Sequence, residues 1–234
     1  MIRFNRAITP VKVLSFDLDD TLYNNHPIIK AAVQAQVDYL NALPDWQAQG
    51  RHYWQYCREQ AVKQNPALAD NVTQWRKDTL QLGLAKLGYQ DAQLEQHVSG
   101  AYQAFADARS QIVISDDVLA LLAQLAKKYK LIAITNGNVE VERFNLNGVF
   151  ELVLQAGLHG KAKPHPTMFD QACEQLNVEP KHILHIGDSL DTDVHGAHNA
   201  GCHSLWLNDQ QAHYAYRGLP DVEITSIHAL KYFL

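Results

Sequence analysis

The chain is short of the residues that would place it in several large classes. Cysteine occurs three times in 234 residues, at Cys57, Cys173 and Cys202, with no Cys-x-x-Cys pair. So sparse and odd a set builds neither a disulfide framework nor a zinc knuckle. It predicts small buried residues with reduced thiols in a cytoplasmic protein. Positive charge is in deficit: 20 Lys and Arg against 25 Asp and Glu give a net charge of −5. That balance argues against a basic nucleic-acid surface and a polybasic membrane anchor, so neither partner is expected. No apolar run nears the ~18 residues of a membrane span, and the longest candidate, Val118–Ala126, is interrupted by Gln124. The opening Met1-Ile-Arg-Phe-Asn-Arg6 lacks the apolar stretch of a secretory signal. There is no G-x-x-x-x-G-K-[ST] loop, no dinucleotide fingerprint around Gly157-Leu-His-Gly160, no internal repeat and no low-complexity tract. The histidines form no zinc motif: His195 and His198 are not H-E-x-x-H, and His182 and His185 straddle a loop and a strand.

What is present is a core-forming chain, 47% hydrophobic. Lys12-Val-Leu-Ser-Phe16 reads as a buried strand that ends abruptly at Asp17-Leu-Asp-Asp20. From Asn24 to Arg109 no strand is apparent, only helical patterns. Val33, Val37 and Leu40 predict one buried helix face; Trp46, Trp54, Cys57 and Ala61 a second helix. Val72, Trp75, Thr79 and Leu82 predict a third, and Leu94, Val98, Tyr102 and Phe105 a fourth. Turn signals at Leu43-Pro44 and Gly88 separate them. After Ser115 helices alternate with short apolar strands at Leu131–Ile134, Leu152–Leu154, Ile183–Ile186 and Ser204–Leu207. That alternation predicts an α/β fold with a parallel sheet covered on both faces. The first strand needs that sheet to satisfy its backbone. Residues 1–23 and 110–234 are therefore expected to form the α/β core, with 24–109 inserted as a small helical domain.

In open parallel sheets ligands bind outside the carboxyl ends of the strands. The first strand delivers Asp17, Asp19 and Thr21 there, and the second Thr135 and Asn136. The third feeds the loop with Lys163; the fourth delivers Asp188, with Asp191 and Asp193 behind it. Carboxylates so gathered repel unless a cation sits among them. Hard oxygen donors of this kind suit Mg²⁺ bridging to a substrate phosphate.

Asp17-Leu-Asp-Asp-Thr21, Thr135-Asn-Gly137, Lys163-Pro-His-Pro166 and Gly187-Asp-Ser-Leu-Asp-Thr-Asp193 resemble the four ordered motifs of the haloacid dehalogenase superfamily. The likeness runs from about Val11 to Leu207. It implies a Rossmann-like core with the insertion as a helical C1 cap that closes to shield the site. It further implies that Asp17 is the nucleophile, forming an aspartyl-phosphate, and that Asp19 is general acid and then base. Mg²⁺ would be held by the Asp17 carboxylate, the Asp19 backbone carbonyl and Asp188. Thr135, the Asn136 N–H and Lys163 would bind the phosphoryl oxygens. Asp193 would orient Lys163 or a metal-bound water. Asp191 reads as a helix cap or a solvated acid, and Asp20 and Thr21 as loop and helix-start residues. Dehalogenases of the superfamily lack the second acid, so Asp19 favours phosphoryl transfer to water.

Phe4-Asn-Arg-Ala7, Leu18-Asp-Asp-Thr-Leu-Tyr23, Asn71-Val-Thr-Gln-Trp-Arg76 and Thr135-Asn-Gly-Asn138 are similar to one bacterial branch of these phosphatases. That branch hydrolyses flavin mononucleotide and 5-amino-6-(5-phospho-D-ribitylamino)uracil in riboflavin metabolism. The likeness implies a small phosphate ester as substrate. It makes Trp75 and Arg76 candidate substrate contacts among the aromatic residues of the insertion. Two alternatives stay open at this level: a sugar-phosphate mutase of the same superfamily, and a non-catalytic phosphate-binding regulatory protein.

Overall fold

A computed structural model describes residues 1–50, 52–208 and 215–234. The chain divides into two compact units: Met1–Asn24 with Val113–Leu234, and Asn25–Ile112.

The first unit is built on a seven-stranded sheet. Its strands are β1 (Ile2–Phe4), β2 (Val13–Phe16), β3 (Lys130–Thr135), β4 (Leu152–Gln155), β5 (Ile183–Gly187), β6 (His203–Leu207) and β7 (Val222–Ile224). They lie in the order β1-β7-β6-β5-β2-β3-β4. Every pair is parallel except β1–β7, which is antiparallel. β2 and β5 are buried along their whole length, as continuous apolar runs in a two-faced sheet must be. The α-helices of this unit are α6 (Asp116–Leu125), α7 (Thr167–Leu176) and α8 (His195–Asn199). One face of the sheet packs Val13, Ile132, Ile134 and Leu154 against Met168, Phe169 and Ala172 of α7 and Ala197 of α8. α6 buries the expected stripe Val118, Leu121, Leu122 and Leu125.

The edge pair β1 and β7 is absent from the sequence reading. Each has only three residues, too few to show a period of two. The pairing of Ile2 with Ile224 and Phe4 with Val222 is long-range, and it makes the sheet mixed where a wholly parallel one was expected.

The second unit is helical: α1 (Asn25–Asn41), α2 (Pro44–Gln47), α3 (His52–Gln64), α4 (Val72–Lys86) and α5 (Asp91–Arg109). Asn71 starts α4 by accepting a hydrogen bond from the Gln74 N–H at 2.9 Å, an N-cap that satisfies an otherwise orphaned donor. The core gathers Leu40, Trp46, Leu80, Leu84, Tyr89 and Ala101.

Two expectations are corrected here. On α1 the buried stripe is Ala32, Gln36 and Leu40, whereas Val33 and Val37 are 41% and 37% exposed. A glutamine sits inside because its Oε1 accepts from Arg76 Nη1 at 2.8 Å, which removes the cost of burying it. The second helical pattern splits, placing Trp46 on α2 and Cys57 and Ala61 on α3. The three cysteines are free, with Cys57 and Cys202 buried. Among the described residues no helix is long and apolar enough to cross a membrane.

Candidate active site

The sheet order places β3 on one side of β2 and β5 on the other, so the chain changes direction at β2. Such a switch point opens a crevice at the strand ends. Asp17 leaves β2 there with its N–H donated to the Ile186 carbonyl at 2.8 Å, which ties the acidic turn to the end of β5.

At the centre lies a buried lysine. Lys163 Nζ donates to Asp17 Oδ1 at 2.9 Å and to the Ile134 carbonyl, and lies 2.7 Å from Asp193 Oδ1. Asn136 fixes its backbone from both sides: Asn136 Nδ2 donates to the Lys163 carbonyl at 2.9 Å, and the Lys163 N–H donates to Asn136 Oδ1 at 2.7 Å. The Lys163–Pro164 bond is cis. Burial lowers the pKa of Lys163, but the Asp17 and Asp193 carboxylates outweigh it and raise the pKa above its ordinary value. The ammonium stays charged.

Burial also works against ionised Asp193. The Lys163 ammonium and a hydrogen bond to His185 nevertheless hold it well below the usual carboxylate range. Its Oδ1 meets Lys163 and His185, and its Oδ2 accepts from the Ser189 N–H at 3.0 Å. Gly187 makes this possible, since a Cβ there would lie 2.2 Å from Asp193 Cγ.

His185 is a site residue that the sequence reading did not single out. It pairs in register with Ser15 across β2 and β5. Its Nδ1 lies 2.9 Å from Ser15 Oγ, and its Nε2 lies 3.2 Å from Asp193 Oδ1 and 3.3 Å from Lys163 Nζ. Burial, with Lys163 beside it, lowers its pKa to about 4, so the ring is neutral. Its alternation with Leu184 and Ile186 on a buried strand was the available signal.

Asp17 and Asp188 show the opposite effect. Burial, with Asp193 and Asp19 nearby, pushes Asp17 up to about 8 despite Lys163. Burial and Asp193 push Asp188 up to about 7. Asp17, Asp188 and Asp193 each offer an oxygen within 4.8 Å of the other two. Three carboxylates share a single ammonium, and hard oxygens in surplus negative charge fit a divalent cation such as Mg²⁺.

Thr21 Oγ1 donates to Asp188 Oδ1 at 3.3 Å, holding the acid as a loop residue. Thr135 is fully buried, and its Oγ1 accepts from the Gly137 N–H at 2.9 Å, which leaves the hydroxyl proton for another acceptor. Asp19 accepts from the Tyr23 hydroxyl. Asp20 adopts a left-handed φ of 58°. Asp191 accepts from the Ala215 and Tyr216 N–H groups and pins that loop. The outer histidines have protein partners: His182 Nδ1 meets the Pro10 carbonyl, His195 stacks on Tyr216, and His203 Nε2 accepts from the Thr9 N–H.

In the helical unit, Trp75 Nε1 donates to the Arg58 carbonyl at 3.0 Å, and the Arg58 guanidinium lies 4.0 Å over the indole. The Arg76 guanidinium lies 3.6 Å over Phe105. Burial lowers its pKa to about 10, which leaves it charged at neutral pH. Trp46, Tyr53, Trp54, Tyr89 and Tyr102 pack in or against the unit's own core.

A family model described as haloacid dehalogenase-like hydrolase matches residues 11–201. The 5-amino-6-(5-phospho-D-ribitylamino)uracil phosphatase YigB of Escherichia coli is 36% identical, over 98% of each chain. The pyrimidine 5'-nucleotidase YjjG of the same organism is 31% identical over 56% of this chain and 62% of its own. A crystal structure titled 2-haloacid dehalogenase, from Pseudomonas syringae pv. Tomato, superimposes with a TM-score of 0.89 at 30% identity, covering 95% and 97% of the two chains. Motif order, strand-end geometry and these matches converge: the chain belongs to the haloacid dehalogenase-like hydrolase family and is an enzyme of it.

Proposed function

We propose that the enzyme is a Mg²⁺-dependent phosphatase that hydrolyses small phosphate monoesters through an aspartyl-phosphate on Asp17. The observation that carries this reading is the buried Lys163 ammonium, held between Asp17 and Asp193 at 2.9 and 2.7 Å beside the further acid Asp188. A carboxylate nucleophile approaching a phosphate dianion needs concentrated positive charge. Lys163 supplies one unit of it. Mg²⁺, held by the Asp17 carboxylate, the Asp19 backbone carbonyl and Asp188, would supply two more.

An Asp17 oxygen attacks phosphorus, the ester P–O bond breaks, and Asp19 gives its proton to the departing alkoxide. Water then attacks the phosphorus of the acyl phosphate while Asp19 takes a proton from it, which frees inorganic phosphate and restores the Asp17 carboxylate. The Thr135 hydroxyl and the Asn136 N–H donate to the phosphoryl oxygens throughout. Asp193 and the neutral His185 keep Lys163 aimed. We read Asn25–Ile112 as the C1 cap and Trp75 and Arg76 as its substrate contacts, the charged Arg76 guanidinium suiting an electron-rich ring.

The relative matched over its whole length is named for a ribitylaminouracil phosphate, and a second relative for pyrimidine nucleotides. These names support a substrate carrying a pyrimidine-type ring, with flavin mononucleotide and 5-amino-6-(5-phospho-D-ribitylamino)uracil as the leading esters. The dehalogenase title of the superimposed structure favours a second reading. Against it, an acid at position 19 has no work to do for a halide leaving group.

The test is phosphate release from a panel of esters ranked by kcat/KM, with and without EDTA. Activity is expected to vanish on chelation and return with Mg²⁺, and Asp17→Asn to lose roughly 10³-fold or more in kcat. Metal-independent turnover, full activity in the variant, or chloride release from 2-chloropropionate in place of phosphate release would overturn the reading. Failure of phosphate to accumulate while the ester isomerises would make the enzyme a mutase, and binding without product a phosphate sensor.

A further inference from the structure

Two of the three free cysteines lie together in the sheet unit. Cys173 on α7 packs against the apolar cluster that includes Cys202, which follows α8 and precedes β6. The Cys202 thiol donates a hydrogen bond to the Cys173 sulfur. Both backbones are tied down. The Val178 N–H donates to the Cys173 carbonyl at 3.0 Å, and the Cys202 N–H to the Ala197 carbonyl at 2.8 Å. The two thiols differ in access: Cys202 is 4% exposed, whereas Cys173 is only partly buried. The hydrogen bond from Cys202 holds the pKa of Cys173 below its ordinary value, against burial and Asp170, and raises that of Cys202. Cys173 is thus the thiol that ionises and meets solvent, and Cys202 is its dry neighbour. Cys57 is fully buried in the helical unit, and burial raises its pKa.

We propose that Cys173 and Cys202 form a site of reversible oxidation, at which a hydroperoxide converts the pair to an intramolecular disulfide. The sulfurs of a disulfide must be within reach before the chemistry starts, and here one thiol already donates to the other. In the first step the Cys173 thiolate attacks one peroxide oxygen. The O–O bond breaks, hydroxide leaves and takes up the proton that Cys173 had released, and Cys173 becomes a sulfenic acid. The Cys202 sulfur then attacks the Cys173 sulfur. The S–O bond breaks, and the second hydroxide departs as water with the Cys202 proton. In all, two thiols give up two electrons and one hydrogen peroxide becomes two waters. The segment between the two cysteines carries β5, Asp188 and Asp193. The new bond would therefore staple both ends of a stretch that builds the candidate active site.

The test treats the reduced, native full chain with hydrogen peroxide, alkylates the remaining thiols and follows all three by mass spectrometry. Free thiols are expected to fall from three to one, and dithiothreitol to restore the other two. Trypsin cleaves after Lys181, between the two cysteines, so the product is expected as one disulfide joining two peptides. Loss of the Cys173 and Cys202 thiols is expected to be at least about 10-fold faster than loss of Cys57. Cys202→Ala removes the second thiol, and Cys173 is then expected to accumulate as a sulfenic acid that dimedone traps. Cys173→Ala, a change at the partly exposed position, keeps the test open should the buried change disturb folding. In that variant Cys202 is expected to stay reduced.

Three free thiols after the treatment, a bond that forms only in urea, a link to Cys57 or a link between two chains would overturn the assignment. So would oxidation of Cys57 as fast as that of Cys173. None of these readouts depends on turnover, so failure of the pair and failure of the phosphatase reading are seen separately.

Discussion

At the scale of single residues, the site depends on side chains that hold other side chains. Asn136 turns both ends of its amide to the Lys163 peptide, at 2.9 and 2.7 Å. Asn136→Ala should therefore act through the lysine. It leaves two buried backbone groups without partners, which costs roughly 1–3 kcal/mol each where water cannot reach them, and it lets the ammonium drift. A displacement of that kind is expected to lower kcat about 100-fold while the protein stays folded. Steady-state kinetics beside a urea titration check both parts. The same logic explains why Asn136 was legible in the motif but its task was not. Sequence adjacency to Thr135 suggests phosphate binding, whereas the contact to Lys163 crosses 27 positions. His185 was hidden for a related reason: it looks like any strand residue until Asp193 and Lys163 are brought beneath it.

At the scale of elements, the sheet edge hangs on one carboxylate. Asp221 precedes β7. It accepts from the Ser204 N–H at 2.9 Å, lies 3.4 Å from His198 Nε2, and lends its backbone carbonyl to the Asn5 and Arg6 N–H groups. It thus joins β6, β7 and the end of β1. Burial raises its pKa, but the hydrogen bonds from His198 and Ser204 outweigh that and bring it from 3.8 down to about 2. A depressed carboxylate contributes stability above its unfolded value and loses it as pH falls through the folded one. Asp221→Asn is therefore expected to destabilise the protein by up to about 2 kcal/mol at neutral pH. The deficit should shrink between about pH 4 and pH 2, as wild type loses the same contribution. Denaturant midpoints of both proteins across that range test it, and a deficit independent of pH would contradict it. β1 and β7 themselves were not legible, because three-residue strands carry almost no periodic signal and their pairing depends on this long-range knot. β2, β3, β5 and β6 were legible, because burial on two faces demands an unbroken apolar run. In the helical unit the existence of helices could be read but not their facing: small Ala32 and hydrogen-bonded Gln36 turn inward on α1 while Val33 and Val37 do not.

At the scale of the whole molecule, the excess of acids in the sheet unit predicts a ligand-linked stability. Burial lifts Asp17 to about 8 and Asp188 to about 7, so near neutral pH each is protonated part of the time, and a cation would displace that proton. Mg²⁺ is expected to release protons on binding and to raise the unfolding midpoint, by about 2.7 kcal/mol at 100 times its Kd. Asp188→Ala should abolish both effects. Scanning calorimetry of the chelated protein and the same sample with Mg²⁺ checks this. If the two units melt separately, only the transition of the sheet unit should move. A midpoint indifferent to Mg²⁺ would leave the carboxylates without the proposed counter-charge.

The linear order of residues settled the class of the fold, the run of helices after the strand that ends at Phe16, and the four places where polar side chains follow apolar runs. It could do so because strand burial, helix periodicity and an acidic turn after a strand are local patterns. Which of those side chains touch was decided by the register of β2 against β3 and β5, which puts Asp17, Lys163, Asp188 and Asp193 at one edge and sets His185 against Asp193 and Lys163.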